Sequence, residues 1–170
     1  MARNGNPAAA VDADIGNRIY EGSLIIELLR LRGTMRLFFR PILRRHALTD
    51  QNWRIIKPLA EVGPIDMTTL GNAAVIPTAS LSRIVTRMEA SGLVQRLQDE
   101  GDRRQVLVKL TAKGRRLHAR VAPQIRQTYA KLGTLLPTEV LEQLHAVVLR
   151  LNAELAALVP AEGADLPEDE

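Results

Sequence analysis

Thr78-Ala79-Ser80-Leu81-Ser82-Arg83-Ile84-Val85-Thr86-Arg87-Met88 carries most of the architectural information in this chain. Leu81, Ile84, Val85 and Met88 recur at i, i+3, i+4 and i+7, the spacing of one buried helical face. The opposite face presents Thr78, Ala79, Ser82, Arg83 and Thr86, which are short hydrogen-bonding side chains interleaved with a cation. Pro77 suits the first turn of that helix, where its missing N–H costs nothing, and Gly92 suits the left-handed residue that closes it. Two runs with strand character follow, Leu93 to Gln98 and Gln105 to Leu110, the second alternating through Val106, Val108 and Leu110. Between them, Asp99-Glu100-Gly101-Asp102-Arg103-Arg104 has five polar residues and one glycine, the composition of a hairpin tip.

Upstream, Asp66 can cap a short helix ending near Ala74, so two short helices stand in tandem before the hairpin. That order predicts a winged helix-turn-helix. The DNA major groove admits one helix; Thr78 and Ser82 let its backbone approach, and Arg83 can reach guanine O6 and N7. The hairpin tip suits the adjacent minor groove, whose negative potential attracts an inserted arginine. Residues 78–120 hold ten bases against four acids, the charge balance phosphate binding requires.

Further out, Leu24, Leu28, Leu31, Met35, Phe38 and Ile42 form a helical seam that predicts a long helix to about His46, kinked at Pro41. Thr49 or Asp50 can cap the next helix, lined by Trp53, Ile56, Leu59 and Ala60, bent at Pro58 and stopped by Gly63-Pro64. Thr111 can cap a helix running past Arg120, kinked or broken near Pro123. Pro137-Thr138-Glu139 starts a last helix whose Leu141, Leu144, Val148, Leu151, Leu155 and Leu158 keep three-four spacing, a strip that favours a two-fold partner.

The 170 residues fit one domain with additional dimer-forming helices. The absence of cysteine excludes disulfides, thiolate metal sites and thiol catalysis. His46, His118 and His145 lack the short spacings of a metal site, so no metal is expected. Aromatic residues, 3% of the chain, are too few for a single-strand stacking platform. No apolar run is long enough to span a membrane and residues 1–14 do not read as a secretion signal, so a soluble, cytoplasmic protein with no membrane partner is expected. Glu162, Asp165, Glu168, Asp169 and Glu170 place five acids in a tail without bases, so the rest of the chain carries +9 against +4 overall. No paired-carboxylate arrangement, nucleophile triad or glycine-rich phosphate loop suggests an enzyme.

Three stretches, Thr78 to Arg83, Gly92-Leu93-Val94, and Asp102-Arg103-Arg104 through Leu110-Thr111-Ala112-Lys113-Gly114, resemble the MarR family of bacterial transcriptional regulators. The resemblance spans about Leu24 to Leu158. It implies a mainly α fold, a winged helix-turn-helix with a two-stranded β wing and long N- and C-terminal dimerisation helices. The implied layout is a flexible arm over residues 1–18, a MarR-type domain over 19–160 and an acidic disordered tail over 161–170. Within the domain, the DNA-binding lobe covers about 49–111 and the dimerisation helices about 20–46 and 112–159. The resemblance assigns DNA contacts to Thr78, Ala79, Ser80, Ser82, Arg83, Thr86, Arg87, Asp102, Arg103 and Arg104, with Arg104 entering the minor groove and Asp102 orienting it. It assigns the homodimer seam to Leu141, Leu144, Val148, Leu151 and Leu155.

Phe39-Arg40-Pro41-Ile42-Leu43, His46 and Leu48-Thr49-Asp50-Gln51-Asn52-Trp53-Arg54 are similar to the subgroup governing aromatic-acid breakdown, of the homoprotocatechuate- and nicotinate-operon type. This implies no cofactor but an effector of the hydroxyphenylacetate, homoprotocatechuate or hydroxynicotinate class. Arg30, Arg32, Arg36 and Arg40 are the candidates for its carboxylate, with His46 and Trp53 as pocket wall. Blander roles stand beside these: a solvated or DNA-facing cationic face for the arginines, a core position for Trp53, a helix-end contact for His46. Two readings follow, a repressor released from DNA by an aromatic acid, or a ligand-independent activator or silencing antagonist of the same fold.

Overall fold

The computed structural model describes residues 24–98 and 106–158, and within them the chain is mainly helical with one small antiparallel sheet. The elements are α1 (Leu24–Arg45), α2 (Asp50–Glu61), β1 (Ile65–Asp66), α3 (Met67–Ala74), α4 (Thr78–Ala90), β2 (Val94–Gln98), β3 (Val106–Leu110), α5 (Ala112–Leu132) and α6 (Thr138–Leu158). Two compact units are distinguished, Met1–Phe38 and Phe39–Glu170. The first contributes the N-terminal part of α1, where Leu24, Ile25, Ile26, Leu28, Leu29 and Leu31 are all exposed. The arm and the acidic tail lie outside the described residues.

The second unit holds the core. Ile55, Ile56 and Leu59 of α2, Leu70 of α3, Leu81, Ile84, Val85 and Met88 of α4, Val94 and Val108 of the sheet, and Leu117, Val121 and Ile125 of α5 form one buried cluster. The four predicted apolar positions of α4 are at most 3% exposed, so this helix is seated on the core along its whole length.

Helix starts follow local chemistry. Thr49, rather than Asp50, caps α2 in a reciprocal box: its hydroxyl accepts the Asn52 N–H at 3.1 Å, and Asn52 Oδ1 accepts the Thr49 N–H at 3.1 Å. Asp66 caps α3 by accepting the Thr69 N–H at 2.9 Å, and Thr111 caps α5 by accepting the Gly114 N–H at 3.1 Å. Pro77 is the residue before α4 and not its first turn, with ψ 143°; proline fixes φ alone, so it fits an extended cap residue equally well.

Three helices end in the same paired motif, in which the left-handed residue and its successor bond back to the last turn. Ala47 and Leu48 donate to Arg44 and Leu43 carbonyls after α1, Val75 and Ile76 to Asn72 and Gly71 after α3, and Gly92 and Leu93 to Glu89 and Met88 after α4. The left-handed residues have φ of 53°, 52° and 70°, and only the third is glycine. Nothing in the sequence marks Ala47 or Val75 for that conformation.

The structure adds a strand beside the expected two-stranded wing and corrects the expected break near Pro123. The sheet has three strands in the order β1-β3-β2, because Ile65 and Asp66 pair with Val108 and Leu107. A two-residue strand is too short to leave an alternation signal. Helix α5 runs unbroken through Pro123 to Leu132, since Val121, Ala122 and Ile125 are packed on either side of it and tertiary burial outweighs one lost backbone bond.

Candidate DNA interface and neighbouring clefts

The helix-turn-helix is built from α3, the Val75-Ile76-Pro77 turn and α4. The turn is held from outside: Arg54 of α2 donates through Nη1 to the carbonyls of Ala74 and Val75, each at 2.8 Å, and its Nε lies 3.2 Å from Asp50. With its buried face on the core, α4 leaves Thr78, Ala79, Ser82, Arg83, Thr86 and Arg87 exposed and Ser80 half-buried. These are the residues expected to meet DNA, brought onto one helical surface.

Thr86 differs from its neighbours on that surface. Its hydroxyl donates to the Ser82 carbonyl at 3.0 Å and accepts from Arg96 Nη2 at 3.0 Å. Arg96 and Glu89 did not stand out in the sequence; they pair at 2.7 Å between β2 and α4. The one available clue was a basic residue in β2 seven positions after an acid at the end of α4, a spacing with no local rule behind it.

The wing strands pair in register from Val94 with Leu110 to Gln98 with Val106. Asp102, Arg103 and Arg104 lie between them, outside the described residues. At the base, Thr111 Oγ1 donates to the Gly92 carbonyl at 2.6 Å, and Lys113 Nζ to the Ser91 carbonyl at 2.7 Å. Gly114 is required there: a Cβ would stand 2.2 Å from the Leu93 carbonyl oxygen. Thr111-Ala112-Lys113-Gly114 thus locks the start of α5 onto the end of α4.

The candidate effector residues fall in both compact units. Arg30, Arg32 and Arg36 belong to the first compact unit, where Arg30 pairs with Glu27 at 2.6 Å. Arg40, His46 and Trp53 belong to the second. His46 contacts Gln124 at 3.0 Å and borders a cleft of about 460 Å³ with Leu48, Asn52, Arg87, Leu117 and Arg120. Trp53 is not in that lining. Its ring stacks on His118, with centroids 5.4 Å apart and planes 11° apart, and His118 lines a second cleft of about 340 Å³. His46 thus lines the first cleft, whereas Trp53 lines neither and touches the second only through its stacking on His118. Phe39 and Tyr129 form a further ring pair at 4.7 Å.

On α6 no residue is buried; Leu144, Val148, Leu151 and Leu155 are 38 to 50% exposed and Leu141 is half-buried. Among the described residues, nothing buries this apolar strip. No described helix is long and apolar enough to cross a membrane.

Tandem helices, an outward polar face on the second and a β wing define the second unit as a winged helix-turn-helix. A MarR family profile matches residues 48–106. The homoprotocatechuate degradative operon repressor of Escherichia coli is 39% identical over 147 residues, 86% of this chain and 97% of that protein. The regulator FarR of Neisseria gonorrhoeae is 39% identical over 140 residues, covering 82% and 92%. Among solved structures, NadR in complex with 4-hydroxyphenylacetate superposes with a TM-score of 0.68 at 39% identity, covering 74% of this chain and 89% of that one. The chain belongs to the MarR family of transcriptional regulators. Its relatives are named as regulators and repressors, not as enzymes.

Proposed function

We propose that the protein is a homodimeric repressor that binds a pseudo-palindromic operator through α4 and the wing and leaves it when a small aromatic or heteroaromatic carboxylic acid binds. The observation that carries the DNA half is α4 itself, anchored by four buried apolar residues with Arg83 and Arg87 facing out. Arg83 then reads base edges, Arg87 and the threonines meet backbone, and Arg104 enters the minor groove. The uncovered strip from Leu141 to Leu155 supports assembly with a second copy, which sets two recognition helices one DNA turn apart.

The effector half is supported by the relatives: one represses a homoprotocatechuate operon and another was crystallised with 4-hydroxyphenylacetate. An acid of that class needs a ring-facing wall and a cation. In the second unit Trp53, stacked on His118, is the candidate for the first, and Arg40 and His46 are the candidates for the second. Release requires that the acid prefer the dimer shape that does not fit DNA, since equal affinity for both shapes shifts nothing.

Fluorescence anisotropy on DNA from immediately upstream of the protein's own gene, titrated with 4-hydroxyphenylacetate, homoprotocatechuate and 6-hydroxynicotinate, tests this reading. Release by one of the acids is the expected result. Tight binding that none of them disturbs removes the sensor and leaves a ligand-independent regulator.

A further inference from the structure

Arg96 of β2 turns both terminal nitrogens of its guanidinium onto α4. Its backbone N–H donates to Glu89 Oε1 at 2.9 Å and its Nη1 to Glu89 Oε2 at 2.7 Å. Its Nη2 donates to the Thr86 hydroxyl at 3.0 Å and reaches the Ser82 carbonyl at 3.4 Å. Ser82, Thr86 and Glu89 are spaced i, i+4 and i+7, so they form a single stripe along α4 beside the face carrying Arg83 and Arg87. Strand β2 is an edge strand of the sheet, and there the Arg96 amide finds its acceptor on Glu89 instead of on another strand.

We propose that Arg96 and Glu89 are the positioning pair of the DNA interface, fixing the rotation of α4 relative to the wing so that helix and hairpin address one DNA segment in register. This rests on the DNA-binding reading above. Contacts from one side chain to Thr86 and Glu89, with Ser82 beyond them, span two helical turns and constrain the rotation of α4 more than one contact can. A two-pronged carboxylate bond adds direction to attraction, and both partners are partly withdrawn from water, with side-chain exposures of 29 and 37%. The amide and guanidinium of Arg96 lower the Glu89 pKa from its ordinary value. With Nη1 and Nη2 both turned onto α4, Arg96 acts through the helix.

Electrostatics alone and positioning predict opposite signs for one substitution. Removing a carboxylate beside a DNA-binding face strengthens binding if only charge matters. Positioning predicts that Glu89→Gln weakens binding to the duplex that the wild-type chain selects from a randomised pool by about tenfold or more, or about 1.4 kcal/mol. Affinity for a scrambled duplex of equal length stays the same or rises. Arg96→Lys keeps the charge but lacks the fork, so it loses cognate affinity to a similar extent. The Glu89→Gln/Arg96→Gln double variant is no weaker than the worse single one, because both break one unit. Melting curves confirm that each variant is folded; should Glu89→Gln unfold, Arg96→Lys decides by the same criterion. Unchanged or tighter cognate binding, or losses that multiply in the double variant, overturns the proposal. If the wild-type chain selects no duplex, the DNA-binding reading itself fails and the pair has nothing to position.

Discussion

Replacing Gly114 by alanine separates two physical effects of opposite sign. Gly114 lies in the first turn of α5, and by helix propensity alone alanine is better than glycine by up to about 1 kcal/mol. The packing says otherwise. An added Cβ meets the Leu93 carbonyl oxygen at 2.2 Å and both the Leu93 carbonyl carbon and Leu110 Cδ2 at 3.2 Å. A carbon normally sits about 3.3 Å or more from such an oxygen, so the junction must open by about 1 Å. That oxygen is backbone and accepts the Thr111 N–H at 3.1 Å, so it cannot swing aside like a side-chain tip. Opening also strains the 2.6 Å bond from Thr111 to Gly92. Overpacking costs about 1–3 kcal/mol and each weakened bond about 1 kcal/mol. After the propensity gain of up to about 1 kcal/mol is subtracted, a net loss of about 2–4 kcal/mol is expected. Urea unfolding followed by circular dichroism at fixed protein concentration measures it, as a lower midpoint at unchanged slope. A midpoint equal to or above wild type would refute the reasoning, since it would mean that α5 and Leu93 do not approach as closely as this junction requires.

Val75→Gly should raise stability by about 0.5–1 kcal/mol, because a β-branched residue at φ 52° carries strain that exceeds glycine's entropic cost, and its 60% exposed side chain buries little; thermal melting checks this. Burial, with Arg126 and Lys57 assisting and Glu61 opposing, lowers the His118 pKa. The fold therefore prefers the neutral ring and the unfolded chain takes up the proton first on acidification, so this contribution is complete above about pH 6.5 and declines below it. His118→Phe, which keeps a ring against Trp53, should flatten the decline in urea midpoints between about pH 7.5 and pH 5. Arg104→Ala should weaken operator binding by about 1–3 kcal/mol in anisotropy titrations, with the oligomeric state unchanged. Leu151→Asp puts a charge in the middle of the α6 strip and should yield monomers or insoluble protein by light scattering; an intact dimer would remove that strip from the interface.

Much of the recognition unit was legible because its signals are local. The period of Leu81, Ile84, Val85 and Met88, the side-chain caps at Thr49, Asp66 and Thr111, and the glycine at position 92 each act within a few residues, and each is found where its spacing places it. The six-residue polar break between alternating runs marked the wing for the same reason. Two features of that unit were not legible, although they lie in it. The left-handed conformations of Ala47 and Val75 are imposed by helix-closing bonds and, at Val75, by Arg54 from another helix, not by any preference of alanine or valine. The strand Ile65–Asp66 exists only because β3 offers it an edge.

The sequence by itself determined where helices start, which face of each is apolar, and that the second of two tandem helices offers hydroxyls and arginines outward. Tertiary structure alone decided the contacts across the chain: Arg96 on Glu89, Trp53 on His118, Gly114 against Leu93, and Gln124 on His46. Periodicity records which way a side chain faces relative to its own helix axis, because the backbone repeats. It holds no record of which other element stands opposite, because that depends on how the packed helices are rotated about one another, and the close fit of the core sets that rotation.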